Sequence, residues 1–266
     1  MNDYRGVQLF QTALLDFPWL QHGFSTRLGG VSEGVYATLN LGFRVGDLPE
    51  RVAVNRKRLA EALGYDPERA VAGQQVHGDE VVPVTAREAG AGALEQGTAL
   101  PATDGLVTST PGLALLAFFA DCVPVVLADT RRRAVGVAHA GWRGTLKLIA
   151  GKALARMSMV FNANPAECVA VLGPAIGPCC YTVGGQVAEA FAHWGDRVVR
   201  RDGGVWRVDL WEANRRILVA AGVPDGNIGV VRVCTACHPE LMFSHRRNGG
   251  KTGRMAAVAA IRPKEL

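Results

Sequence analysis

The sequence predicts an α/β protein of layered mixed β-sheets flanked by helices. Several short runs bounded by Gly, Pro or Asp are apolar at every position instead of alternating, which marks strands covered on both faces. Segments with helical periodicity lie between them and need a sheet to cover their apolar stripes. The longest apolar run, 113–120, ends at Asp121 and falls far short of the roughly 20 residues that cross a bilayer.

The strand-like runs are 105–108, 113–119, 123–128, 134–139, 168–172 and 228–233. Helices are predicted over 51–63, stopped by Gly64, and over 146–157, where Leu146, Ile149, Ala150, Ala153, Leu154 and Met157 share a face. Asp209 and Glu212 form a capping-box-like start for a helix over 210–221, ended by Gly222 and Pro224. A shorter helix is predicted over 186–193. Residues 89–102, rich in Gly, Ala and small polar side chains, read as a mobile surface loop.

A chain of 266 residues that is 48% hydrophobic suits one domain over 1–266, near the upper size limit. The net charge of +5 is spread along the chain apart from clusters at 56–58 and 131–133, too diffuse for a nucleic-acid arm. A cleft lined by a few arginines still favours small anionic substrates. The start, Met1 to Phe10, carries Asp3 and Arg5 and lacks a signal-peptide pattern, so a cytoplasmic location is expected, with no membrane partner. Six cysteines in such a chain read as reduced thiols or metal ligands, and the adjacency of Cys179 and Cys180 argues against their pairing with each other.

Three segments place polar chemistry at the ends of apolar runs. In Gln74-Gln75-Val76-His77-Gly78 a histidine sits beside a turn-forming glycine; taken alone, a loop histidine bonded to backbone explains it as well. In Ala120-Asp121-Cys122-Val123-Pro124 a carboxylate and a thiol interrupt two apolar stretches; Cys122 alone reads equally as a small core residue, but a buried Asp121 needs a partner. In Val137-Ala138-His139-Ala140-Gly141-Trp142-Arg143-Gly144 a strand runs into a glycine-flanked turn, where α/β proteins place ligands and where an anion can meet helix N–H groups beside Arg143. Two imidazoles and a thiolate suit Zn²⁺ with a fourth position left for water, although their spacing does not single them out. A further metal candidate, Cys234-Thr235-Ala236-Cys237-His238, lacks the matching second pair that a structural zinc site needs; Phe243-Ser244-His245-Arg246-Arg247-Asn248 after it looks like an anion-binding loop.

Together these segments resemble the YfiH/FAMIN family, long labelled polyphenol oxidases or laccase-domain proteins and described as purine nucleoside phosphorylases. The likeness runs from about Phe24 to Ile261. Its landmarks include Ser25-Thr26-Arg27, Leu39-Asn40-Leu41-Gly42, Gln75-Val76-His77-Gly78, Thr103-Asp104-Gly105, Asp121-Cys122, His139-Ala140-Gly141-Trp142-Arg143-Gly144, Gly173-Pro174-Ala175-Ile176-Gly177-Pro178-Cys179-Cys180-Tyr181 and Thr252-Gly253-Arg254. Asn248 departs from the Asp expected in the family's loop. The resemblance implies zinc on His77, Cys122 and His139, a fold related to a cysteine-hydrolase group, phosphorolysis of purine nucleosides including methylthioadenosine, and deamination of adenosine. Catalytic work is then expected of Cys122, His139 and Asp121, and contacts to phosphate or ribose are expected among Arg27, Asn40, Arg143, Arg246 and Arg247. Oligomeric state is not legible.

A multicopper laccase needs many histidines, and the chain has six, at positions 22, 77, 139, 193, 238 and 245. That excludes a conventional laccase, while Cu²⁺ can still occupy the zinc site because it binds such donors more tightly. The competing reading is a hydrolase: Cys122 and His139 as a thiolate–imidazolium nucleophile pair, in an amidase that edits peptidoglycan precursors.

Overall fold

The computed structural model describes residues 1–263. Two six-stranded mixed sheets lie face to face, with strands numbered in chain order. The first contains β1 (Asn2–Tyr4), β2 (Val7–Phe10), β3 (Leu20–Ser25), β4 (Ala70–Ala72), β7 (Ala114–Phe119) and β15 (Met255–Ile261), in the order β1-β2-β3-β15-β7-β4. The second contains β5 (Val81–Pro83), β6 (Gly105–Thr108), β8 (Val123–Asp129), β9 (Ala134–Ala140), β10 (Cys168–Leu172) and β14 (Ile228–Val230), in the order β14-β10-β8-β9-β6-β5. A small sheet, β11 (Thr182–Val183), β13 (Val205–Val208) and β12 (Val199–Asp202), stands beside them.

Helices cover the outer faces. The inner face of α1 (Pro49–Leu63) meets the first sheet in one core, while α3 (Ile149–Phe161) and α5 (Leu210–Ala220) pack on the second in another. A third core fills the space between the sheets. This layering explains the runs that are apolar throughout: on β8, Val125 and Leu127 face the helices while Val126 and Ala128 face the other sheet. On β15, Ala257 and Ala259 face inward and Ala256 and Val258 face α1.

The predicted helix over 146–157 is two helices. Leu148 adopts φ +63° and separates α2 (Trp142–Leu146) from α3. Both helices contact β9 and α5, and Thr145 Oγ1 in α2 accepts a 2.9 Å bond from Asn214 of α5. The expected helix over 186–193 is α4 (Gly185–Phe191) with a 3₁₀ turn after it. At α5 only half of the capping box forms: Asp209 accepts the Glu212 N–H at 3.0 Å, but Glu212 pairs with Arg215 and Arg216. β14 stops at Val230, where its register with β10 runs out at Leu172.

The segment 89–102, expected to be a free loop, is tied down. Ala91 and Leu100 exchange backbone bonds with Ala72, and Arg56, buried on α1, donates to the carbonyls of Gly92 and Ala93. The same guanidinium reaches the Leu41 carbonyl and lies over the Phe43 and Phe118 rings.

Candidate active site

The chain passes from the first sheet to the second twice, between β4 and β5 and between β7 and β8. His77 lies on the first crossing and Cys122 on the second, and both crossings use left-handed backbone, φ +58° at His77 and +91° at Asp121. His139 is the penultimate residue of β9. One ligand atom from each of the three lies within 4.8 Å of the others, and the imidazole rings of His77 and His139 stand edge to face at 4.9 Å. His139 is buried, Cys122 half-buried and His77 exposed, so the group opens on one side.

Asp104, immediately before β6, holds the arrangement. Its carboxylate accepts the backbone N–H groups of Val76, His77 and Gly78 at 3.0, 3.0 and 2.8 Å and pairs with His139 Nδ1 at 2.9 Å. One side chain thus shapes the His77 turn and orients the His139 ring, leaving Nε2 free for a ligand. Burial works against the Asp104 charge, but His139 and the N–H groups of Val76 and Gly78 hold the carboxyl below its usual range. Sequence reasoning assigned Asp104 no role; its signals were a carboxylate at the mouth of an apolar strand and its place in the Thr103-Asp104-Gly105 segment of the family resemblance.

Burial also opposes the Cys122 thiolate, yet His139 and His77 beside it bring the thiol below the ordinary range; burial opposes a charged His139, and Cys122 and Asp104 raise it. Two imidazoles, a thiolate and a carboxylate behind one imidazole form a donor set suited to a metal ion. Space is kept for it: a Cβ on Gly141 would lie 2.9 Å from Cys122 Sγ and 3.1 Å from His77 Cδ2. Among the described residues, His77, Cys122 and His139 form the one such group that contains histidine.

The trio lines a cavity of about 590 Å³, within the range of small-molecule sites. Of the residues predicted to contact substrate, Arg143 and Arg246 stand in its wall. Arg143 is exposed over the Trp142 ring at 4.3 Å, with its donors directed to no acceptor among the described residues. Arg246 bonds through Nη1 to the Thr182 carbonyl at 2.9 Å. Arg27, Asn40 and Arg247 are not brought to the cavity. Arg27 donates to the carbonyls of Ala37 and Pro239, and Arg247 to those of Thr235 and Met242. Asn40, fully buried, bonds Gly42, Asp47 and Arg254. Asp121 lines the cavity, but both its oxygens are engaged, Oδ1 by the Thr235 hydroxyl at 2.5 Å and Oδ2 by the Arg246 N–H at 2.6 Å. It clasps the two C-terminal loops to the Cys122 turn. Sequence reasoning gave no role to Phe43, Arg44, Phe118, Tyr181 and Arg254, which the fold gathers in the wall, although Tyr181 and Arg254 stood within segments that carry the resemblance.

No helix among the described residues is long and apolar enough to cross a membrane. Residues 21–262 match the family model described as multi-copper polyphenol oxidoreductase laccase. The purine nucleoside phosphorylase YlmD of Geobacillus stearothermophilus is 43% identical over 249 residues, 90% of this chain and 89% of that one. A protein named adenosine deaminase RL5, from an unknown prokaryotic organism, is 40% identical over 237 residues, 87% and 90% of the two chains. The crystal structure of the Geobacillus YlmD superposes with a TM-score of 0.93 at 40% identity, covering 99% of this chain and 98% of that one. The Bacillus licheniformis YfiH structure gives 0.91 at 41% identity, covering 98% of each. Sequence, fold and the gathered His77, Cys122 and His139 agree, and the chain belongs to the YfiH family of laccase-domain proteins.

Proposed function

We propose that this protein is a purine nucleoside phosphorylase that also deaminates adenosine and cleaves methylthioadenosine, with zinc on His77, Cys122 and His139. The observation that carries the reading is the placement of these donors in a nucleoside-sized cavity whose wall holds both aromatic rings and guanidinium groups. The names of the relatives support it, and the imidazole and thiolate donors favour zinc. Zinc, when bound, supplies Lewis-acid chemistry.

The chain's own residues do the rest. Phe43 and Phe118 offer apolar surface to a purine or a thiomethyl group, and Arg143, with unengaged donors, binds phosphate. In phosphorolysis a phosphate oxygen bonds to C1′ as the C1′–N9 bond breaks, and the departing base needs a hydrogen-bond donor. Tyr181 fills that role: burial, reinforced by the charge of Cys122, pushes its phenol up to about 12, so Oη keeps its proton at working pH. Asp121 positions the Cys122 turn and Arg246 through its two bonds.

The test incubates metal-quantified protein with adenosine, with and without phosphate, and separates adenine, inosine, hypoxanthine and ribose-1-phosphate. Phosphate-dependent adenine and phosphate-independent inosine, both lost on chelation, are expected. No turnover by zinc-loaded protein overturns the reading.

One observation favours a second reading. The Cys122 thiol, lowered by His139 and His77, is poised as a nucleophile, as an amidase acting on peptidoglycan precursors would need. Such an enzyme is silenced by alkylation and tolerates chelator; the zinc enzyme is silenced by chelator.

A further inference from the structure

Away from the trio, Cys179, Cys180, Cys234 and Cys237 bring their four Sγ atoms within 4.8 Å of one another. The fold thereby supplies the second pair that the Cys234-x-x-Cys237 motif lacks in sequence. The two pairs ride on separate turns. In one, the Cys237 N–H donates to the Cys234 carbonyl at 3.1 Å; in the other, the Cys180 N–H donates to the Gly177 carbonyl at 2.9 Å. A bond between the turns ends on sulfur: the Gly177 N–H donates to Cys234 Sγ at 3.2 Å. A side chain at Gly177 would crowd the cluster, since a Cβ there would lie 3.2 Å from Cys179 Sγ and 3.4 Å from Cys234 Cβ.

The sulfur spacing identifies the occupant. Cys237 Sγ lies 3.6 Å from Cys179 Sγ and 3.4 Å from Cys180 Sγ, far beyond the roughly 2.05 Å of a disulfide. Four thiolates about 2.3 Å from one tetrahedral ion stand about 3.8 Å apart, inside the span of the cluster. Four sulfurs with no oxygen or nitrogen donor among them select a thiophilic ion over magnesium or calcium.

We propose that Cys179, Cys180, Cys234 and Cys237 form a second, structural metal site that takes one zinc ion. The site clips the turn preceding Tyr181 to the turn carrying Thr235. Tyr181 lines the active cavity, and Thr235 donates to Asp121 beside Cys122, so the ion braces that wall from behind. A closed four-thiolate shell leaves no position for substrate, which sets it apart from the three-donor site.

Protein purified under reducing conditions and reloaded with zinc is expected to hold two equivalents per chain by mass spectrometry of its metals. The Cys122→Ala and the Cys234→Ser/Cys237→Ser variants are each expected to hold one. Cobalt provides an independent readout: Cys122→Ala lacks the thiolate of the first site, so its strong thiolate-to-cobalt charge-transfer absorption must come from the cluster. One equivalent in reloaded wild-type protein that falls to none in Cys122→Ala overturns the proposal. So does a Cys122→Ala cobalt spectrum without that absorption, or a disulfide between the two turns in the reduced preparation. Wild-type stoichiometry and the Cys122→Ala spectrum leave all four cysteines in place, so a double variant that fails to fold does not blunt the test.

Discussion

Replacing Asp104 by Asn tests whether one carboxylate organises the metal donors. Asp104 accepts four bonds, two at each oxygen: Oδ2 from the Val76 and Gly78 N–H groups, Oδ1 from the His77 N–H and His139 Nδ1. Asn keeps one acceptor oxygen and sets an NH₂ group against the other two partners. With NH₂ at Oδ2 the turn carrying His77 loses two of its three anchors. With NH₂ at Oδ1 it donates to His139 Nδ1 and selects the tautomer whose Nε2 carries hydrogen and cannot ligate. Either orientation injures one imidazole. Losing two charge-assisted bonds costs the fold about 3 kcal/mol or more. Zinc affinity is expected to fall about 10- to 100-fold, the usual cost of losing a carboxylate behind a ligating histidine. That is about 1.4–2.8 kcal/mol at 1.4 kcal/mol per decade. Competition against a chromophoric chelator measures the affinity, and melting with and without zinc separates it from stability. A folded Asp104→Asn protein that binds zinc as tightly as wild type would falsify the assignment.

Three further outcomes follow from the same geometry. His22 is buried in β3, which holds its pKa down at about 4, and its Nε2 accepts the Thr12 N–H at 3.3 Å. The folded value lies below the ordinary 6.5, so stability is whole above pH 6.5 and declines by up to about 3 kcal/mol as pH falls toward 4; denaturant titrations across that window should show the decline, and His22→Gln should flatten it. Arg56→Met leaves the carbonyls of Leu41, Gly92 and Ala93 without their donor, an expected loss of about 3 kcal/mol or more. Its signature is a lower unfolding midpoint with proteolytic cleavage within 89–102, and an uncut loop counts against Arg56 as the anchor. Arg143→Gln is expected to raise the KM for phosphate about tenfold by removing a charge-assisted contact while leaving adenosine deamination unchanged; equal damage to both reactions removes Arg143 from the phosphate site.

The central strands of the second sheet were legible because burial on both faces leaves a run of Val, Leu and Ala with no polar interruption; 105–108 and 168–172 match β6 and β10 residue for residue. β15 was not, although it is wholly buried: four of its seven residues are alanine, which carries no strand preference. β3 was hidden by Gln21 and His22, polar residues buried between strands and satisfied by partners distant in sequence. The break at Leu148 has no glycine or proline to announce it; the residue simply takes the left-handed conformation, φ +63°, that a leucine rarely adopts. The loop 89–102 looked free because its own residues are small, and its anchor, Arg56, read as one charge in a basic cluster.

The same distinction governs the site. His77, Cys122 and His139 were legible because unusual side chains stood at the ends of apolar runs and because the whole pattern resembled a known family. The arginines were not separable in this way. Every arginine carries the same five donors, and what each can bind depends on how many carbonyls the fold presents to it. Arg27, Arg247 and Arg56 each meet carbonyls that turn the guanidinium into a structural strut. Arg143 meets the face of Trp142, which orients the guanidinium without using its N–H groups. A charged group held in place with no acceptor for its donors among the described residues is prepared for an anion, which is why phosphate recognition is proposed for Arg143 before any arginine that the backbone already occupies.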